Sequence, residues 1–360
     1  MKNLVLGIAA ILLAVPSQAA DFNAPLENII SGYFRPAAAD FSESAGKLPN
    51  AVSAICTEAT EANEANVLGF QTAFSETIRD FSRIQFLRFG PLLEDDRLSR
   101  LSFRPDPRGR AQKQIRKLYA AADNSVLSPV RLGKKSVAVQ SLTALELIAF
   151  NKDTEVVLGN DSDNKDYTCG YALAIAQNVS KIAHDTSADW IDPDGYSKIL
   201  LSAGPDNDRY RTSKEAIEDV FNSLATGITI TKDQDILPAM GKSKDKTKPN
   251  RFPFSRSGNA VVYLTGELAG INDALSSMDL KPLMSSDDQW TLDTLGFEFK
   301  NARNYLDALN PPLRRTFSEN DGYNQVAALL ITLSSIQELM TQGVAGGLGL
   351  AGGFNALDGD

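Results

Sequence analysis

The stretch Phe70-Gln71-Thr72-Ala73-Phe74-Ser75-Glu76-Thr77-Ile78-Arg79-Asp80-Phe81-Ser82-Arg83-Ile84 brings a large apolar side chain round every three or four residues. That period lines one face of an α-helix and leaves the charged and hydroxylated residues on the other. It returns in Ala172, Ile175, Val179, Ile182, Thr186 and Trp190, and again in Val326, Leu329, Leu330, Leu333, Ile336 and Met340. Thr212 with Glu215 reads as a capping box ahead of Ile217, Val220, Phe221 and Leu224; Ser286 with Gln289 reads the same way ahead of Leu292, Leu295, Phe299, Ala302 and Leu306. Strand signals are confined to Ile228-Thr229-Ile230 and Val261-Val262-Tyr263, too short and isolated to build a sheet. The expected fold is all-α, with about eight principal helices in bundles.

Loops rich in Asp, Gly, Pro or Lys are expected at 151–166, 191–209 and 231–253. The third is the natural boundary between an N-terminal lobe at 20–240 and a C-terminal lobe at 241–360, and its run Lys242-Ser243-Lys244-Asp245-Lys246-Thr247-Lys248 reads as a solvated linker. Asp161-Ser162-Asp163-Asn164-Lys165-Asp166 has the acidic look of a calcium loop but puts Lys at the fifth position and no glycine at the sixth, which excludes it. Leu68-Gly69-Phe70 is echoed by Leu295-Gly296-Phe297; duplication and chance recurrence of packing residues both account for that.

Composition narrows the function. The 360 residues are 43% apolar and 22% charged, and 36 basic against 45 acidic side chains give a net charge of -9, which argues against nucleic acid or an anionic membrane as the main partner. With one histidine, His184, the chain cannot build an HExxH zinc site or a polyhistidine cage. Met1-Lys2, the apolar run from Leu4 to Val15 and the small-x-small site Ser17-Gln18-Ala19 read as a signal peptide over 1–19, since the run is shorter than the ~20 residues a spanning helix needs. The remainder carries no transmembrane segment, so the mature protein is expected to be soluble, and periplasmic. In an oxidising compartment Cys56 and Cys169, with no CxxC pattern, read as one structural disulfide.

Between positions 97 and 117 the charge reverses locally: Arg97, Arg100, Arg104, Arg108, Arg110, Lys113, Arg116 and Lys117 stand against Asp106 alone. Such a cluster can hold a carboxylate or a metal chelate, or can pair with acidic helices nearby. Arg88-Phe89-Gly90-Pro91, Leu101-Ser102-Phe103-Arg104-Pro105-Asp106, Lys135-Ser136-Val137-Ala138-Val139-Gln140, Ala144-Leu145-Glu146, Pro253-Phe254-Ser255-Arg256-Ser257-Gly258 and Gly353-Phe354-Asn355-Ala356-Leu357-Asp358-Gly359-Asp360 occur in that order. Together they resemble the imelysin-like proteins, and the cysteine pair resembles that of the family's periplasmic branch.

The resemblance implies two helical-bundle lobes, a place in the bacterial cell envelope, an association with iron uptake, and a historical grouping with metallopeptidases. The family's GxHxxE motif sets an imidazole and a carboxylate at i and i+3 on one helical face. Here Ser141 stands for the glycine and Thr143 for the histidine, and only Glu146 remains. A neutral hydroxyl is a poor transition-metal ligand and no general base. Arg104 stands where the family often has tryptophan, adding positive charge.

The expected ligand site therefore comprises Arg97, Arg100, Arg104, Asp106, Arg108, Gln140, Ser141, Thr143, Glu146, Arg256, Ser257 and the tail acids Asp358 and Asp360, with Glu146 the one candidate metal ligand and no catalytic residue assigned. The cofactor is left open, with iron or an iron chelate the candidate that the resemblance implies. The expected partners are a small anionic ligand or metal chelate and envelope iron-uptake components. A metallopeptidase of the imelysin type and a purely structural envelope protein are the rival readings. Leu348, Leu350, Phe354 and Leu357 give the glycine-rich tail enough apolar surface to dock. His184 lies one position beyond its helix's apolar stripe and reads as structural.

Overall fold

Helices α1 (Arg35–Cys56) and α2 (Glu64–Ile84) pack side by side, and the quoted stripe is the inner face of the second: Phe70, Phe74, Ile78, Phe81 and Ile84 are all fully buried. The computed structural model describes residues 21–57, 63–319 and 321–350. Among them the fold is all-α, and pairing of extended backbone is limited to one antiparallel bridge between Phe150 and Val156. Asn23–Ile29 and a wide π-turn, Ile30–Phe34, run straight into α1.

The chain continues through α3 (Arg110–Ala120), α4 (Leu142–Ala149), α5 (Lys165–Ile191), α6 (Ser213–Ile230), α7 (Ala260–Ser277), α8 (Trp290–Asp307) and α9 (Gly322–Glu338). The long helix α5 lies along α1, α7 crosses α2, and α8 pairs with α9 while touching α7. One continuous apolar cluster runs from Phe22 to Leu350. A disulfide joins Cys56, at the end of α1, to Cys169, near the start of α5, across a sequence separation of 113.

Two glycines set a close helix crossing. A Cβ on Gly266 would lie 1.9 Å from Ser82 Oγ and one on Gly270 would lie 2.2 Å from the Arg83 carbonyl oxygen, so α7 presses bare backbone onto α2. A side chain at either position would force the helices apart. This contact carries Glu267, between the two glycines, into the interior.

Several boundaries differ from those the sequence predicts. Ile228-Thr229-Ile230 is the last turn of α6, and the helix passes through a second π-turn, Thr231–Ile236, into Leu237–Met240, so the third loop starts only at Gly241. Thr231, Asp235 and Ile236 are buried, and that packing keeps a polar stretch helical. Val261-Val262-Tyr263 is the first turn of α7. The 191–209 loop contains the short helix Tyr196–Leu201.

Thr212 Oγ1 does accept from the Glu215 N–H (3.2 Å), while Glu215 bonds the Arg211 N–H rather than that of Thr212. Ser286 caps nothing: α8 starts at Trp290, and in the preceding turn Ser285 Oγ donates to the Asp288 carboxylate (2.7 Å). The echo between the halves is out of register, because Phe70 is buried and Leu68 exposed in one copy, Leu295 buried and Phe297 exposed in the other. The 242–248 run is folded back, with Lys248 N–H donating to the Ala239 carbonyl (2.8 Å). Leu348 and Leu350 are buried; the signal segment 1–19 and Phe354, Leu357, Asp358 and Asp360 lie outside the described residues.

Candidate functional site

Helix α4 is short and buried on almost every side, as its composition requires: Leu142, Ala144, Leu145, Ile148 and Ala149 all face the core. Ser141 is its N-cap, accepting from the Ala144 N–H (3.2 Å). Glu146 is thereby carried inside, 6% exposed. An isolated carboxylate there would be costly, and the loop before α7 meets it. Ser257 donates both its backbone N–H (2.8 Å) and its hydroxyl (2.9 Å) to Glu146 Oε1, and Asn259 Nδ2 donates to that hydroxyl (3.1 Å).

Burial pushes the Glu146 carboxyl up, while the two Ser257 bonds and the charges of Arg104 and Arg256 pull it down. Arg256 donates to the Phe150 carbonyl (3.3 Å). Arg314, absent from the sequence-based set, joins the same group, its half-buried guanidinium opposed by Arg256 and favoured by Glu146. Beside Ser257 opens a cavity of about 370 Å³, walled by Gln71, Ser75, Glu76, Phe150 and Asn259.

The remaining expected residues are placed as follows. Arg97 is buried and donates to the Asp189 carboxylate (2.6 Å) and the Pro91 carbonyl (2.9 Å). Arg100 donates to Gln140 Oε1 (3.0 Å) and Asn178 Oδ1 (2.8 Å), so Gln140 and Arg100 lock α5 to the approach of α4. Asp106 accepts the first two N–H groups of α3, from Arg110 (2.8 Å) and Ala111 (2.9 Å). Arg108 is exposed. Thr143 is half-buried, and its Oγ1 has no hydrogen-bond partner among the described residues. His184 is 76% exposed at its side chain. Of the expected set, then, Glu146, Ser257, Arg256 and Arg104 converge, and Arg97 and Arg100 are spent on internal bonds.

Arg104 also reaches a second polar centre that the sequence reading did not find. Its Nη2 donates to Asp235 Oδ1 (3.2 Å) and to the Arg251 carbonyl (3.2 Å). Asp235, from the second π-turn, and Glu267, from α7, are 4% and 1% exposed and lie against each other. Gln85 Nε2 donates to Glu267 Oε1 (2.6 Å). Burial and the adjacent Asp235 push the Glu267 carboxyl well up; burial raises Asp235 too, but Arg104 pulls it back. Of the two, Glu267 is the one held further towards its neutral form. The signal that could have found the pair is Gly266-x-x-x-Gly270, which marks close helix contact around a lone glutamate.

The donors do not fit a resident metal. Glu146 supplies one carboxylate whose Oε1 is committed to Ser257, Thr143 supplies a hydroxyl, and the nearest charged neighbours are guanidinium groups. Among the described residues no three His, Cys, Asp or Glu side chains gather as metal ligands would, and no helix is long and apolar enough to cross a membrane.

A helical protein with buried carboxylates set among arginines belongs to the class of all-α proteins with an internal polar site. More particularly, the family model for imelysin matches residues 34–340, and the chain is a member of that family. Its fold is similar to that of an imelysin-like protein from Psychrobacter arcticum 273-4, with a TM-score of 0.77 and 19% identity over 92% of this chain and 96% of that one. It is also similar to a putative iron-regulated protein A precursor from Parabacteroides distasonis ATCC 8503, with a TM-score of 0.67 and 12% identity over 90% and 96%. At those identities the likeness is one of fold. No curated protein matches the chain.

Proposed function

We propose that the protein is a periplasmic binding or accessory protein of iron acquisition. Its ligand, a small anion or an iron chelate, is held where residues of the 20–240 and 241–360 segments meet. The carrying observation is the charge at Glu146: one carboxylate, already bonded by Ser257, against the guanidinium groups of Arg256 and Arg314, with Arg104 shared between Glu146 and Asp235. That excess of positive charge suits carboxylate arms, which arginine holds through paired, charge-assisted hydrogen bonds worth roughly 1.5–3 kcal/mol each. A bare ferric or ferrous ion would need more carboxylate oxygens. Support for the iron context comes from family membership and from the neighbour titled an iron-regulated protein. Peptidase chemistry would need a metal-activated water and a general base, and Thr143 stands where the family's motif has its histidine.

Calorimetric titration with ferric citrate, citrate and a ferrous salt tests the reading. Heat on addition of ferric citrate or citrate, weakened at least tenfold in Arg256→Met, is expected. Tight binding of the ferrous ion with no response to either anion, or zinc-dependent peptide cleavage abolished by Glu146→Gln, would overturn it.

A further inference from the structure

Arg88 ends the approach to the Gly90-Pro91 turn, and its side chain makes no hydrogen bond or ion pair with any described residue. Arg88 is exposed; desolvation lowers its pKa, and the nearby Tyr263, Asp235 and Glu267 act in the opposite direction. The recess beside it is a cavity of about 70 Å³, lined by Arg88, Ser102, Arg104, Gln234, Asp235 and Tyr263 among others. Since one water occupies roughly 10–15 Å³ on this measure, the space suits a group of several heavy atoms.

The other polar groups there are also unspent. Ser102 Oγ is buried with no hydrogen-bond partner among the described residues, and Tyr263, whose hydroxyl makes no hydrogen bond with any of them, lines the same recess. A buried hydroxyl left unbonded is costly, and Ser102 beside a free guanidinium points to a ligand that supplies acceptors. Asp235 lines the recess too and accepts from Arg104, so two guanidinium groups there stand against one carboxylate. Arg88 is left without a hydrogen-bonded partner.

We infer that this recess is a subsite for one carboxylate group, gripped by the Arg88 guanidinium with the Ser102 and Tyr263 hydroxyls as further donors. A planar guanidinium offers two parallel N–H bonds to a carboxylate, and the small volume selects a single carboxylate over a bulky ligand. The subsite shares Arg104 with the group around Glu146, whereas Arg88, Ser102 and Tyr263 are its own.

Saturation-transfer NMR with acetate as the probe, at neutral pH on the full mature chain, tests it. The parent protein is expected to transfer saturation to the acetate methyl, and formamide, of similar size but uncharged, is expected not to compete. Arg88→Met should weaken acetate binding at least tenfold and Ser102→Ala severalfold, while His184→Ala, on the exposed surface of α5, leaves it unchanged. Ser102→Ala carries the test if Arg88→Met shifts the thermal midpoint. No transfer in the parent, equal transfer in Arg88→Met with its fold intact, or an equal loss in His184→Ala would overturn the assignment. Loss of citrate binding at the Glu146 site alone, with acetate still held by Arg88, would sink the proposed function and leave this subsite standing.

Discussion

Gln85 donates to one oxygen of Glu267, Asp235 lies beside it, and glycines on both sides bring the α2 backbone close, while the second Glu267 oxygen is buried without a hydrogen-bond partner among the described residues. Its folded-state pKa is raised above the unfolded value, so across the window upward from the ordinary 4.5 the folded protein retains a proton that the unfolded chain has released. Stability is therefore greatest at low pH within that window and falls as pH rises, by about 1.4 kcal/mol per pH unit for a full proton's difference. Glu267→Gln keeps an acceptor for Gln85 without the ionisable proton. In urea unfolding at pH 5, 6, 7 and 8 the variant is expected to show a shallower decline than the parent and to be the more stable of the two at pH 8. Glu146 and Asp235 are raised in the same direction and leave some slope behind. Parallel pH profiles for the two proteins would show that Glu267 is ionised in the fold.

At the scale of elements, α2 and α7 give the sharpest contrast between glycines that look alike in sequence. Gly270 has no room for a Cβ because the Arg83 carbonyl occupies its place, whereas Gly296, midway along α8, has nothing within 4 Å. Gly270→Ala is expected to cost about 1–3 kcal/mol through forced separation of the helices. Gly296→Ala should stabilise by roughly 0.5–1 kcal/mol, because alanine loses less backbone entropy in a helix. Chemical denaturation of both variants checks the pair, and equal effects would remove the close crossing as an explanation. The stripes of α2, α5, α6 and α9 were legible because their burial follows the 3.6-residue period. The π-turn at Thr231–Ile236 was not legible, because Thr-Lys-Asp-Gln-Asp reads as a loop and only the neighbours of Thr231 and Asp235 make it helical. Ser286 misled for the opposite reason: a good local cap signal loses when the preceding turn finds a bond of its own at Asp288.

For the molecule as a whole, the disulfide ties the end of α1 to α5 over a loop of 113 residues. Replacing Cys56 and Cys169 by alanine is expected to cost roughly 2–5 kcal/mol, with the native helix content kept at low temperature. Circular dichroism melts of the two proteins measure it, and an unchanged midpoint would show that the link does not constrain the unfolded chain. Half of the candidate site could be read from the sequence. Glu146, Arg256, Ser257 and Arg104 sit in local motifs, whereas Arg314, Asp235 and Glu267 reach the interior only through helix packing, which no local pattern encodes. Arg97 and Arg100 looked alike to Arg104 as charges, and only their partners, Asp189 and Gln140, separate them. The exposed His184 has a use of its own. As the single imidazole of the chain, it gives one set of ring resonances whose assignment needs no mutant. No second imidazole can overlap them, so the protein carries a built-in landmark on the outer face of α5 for following what happens at its surface.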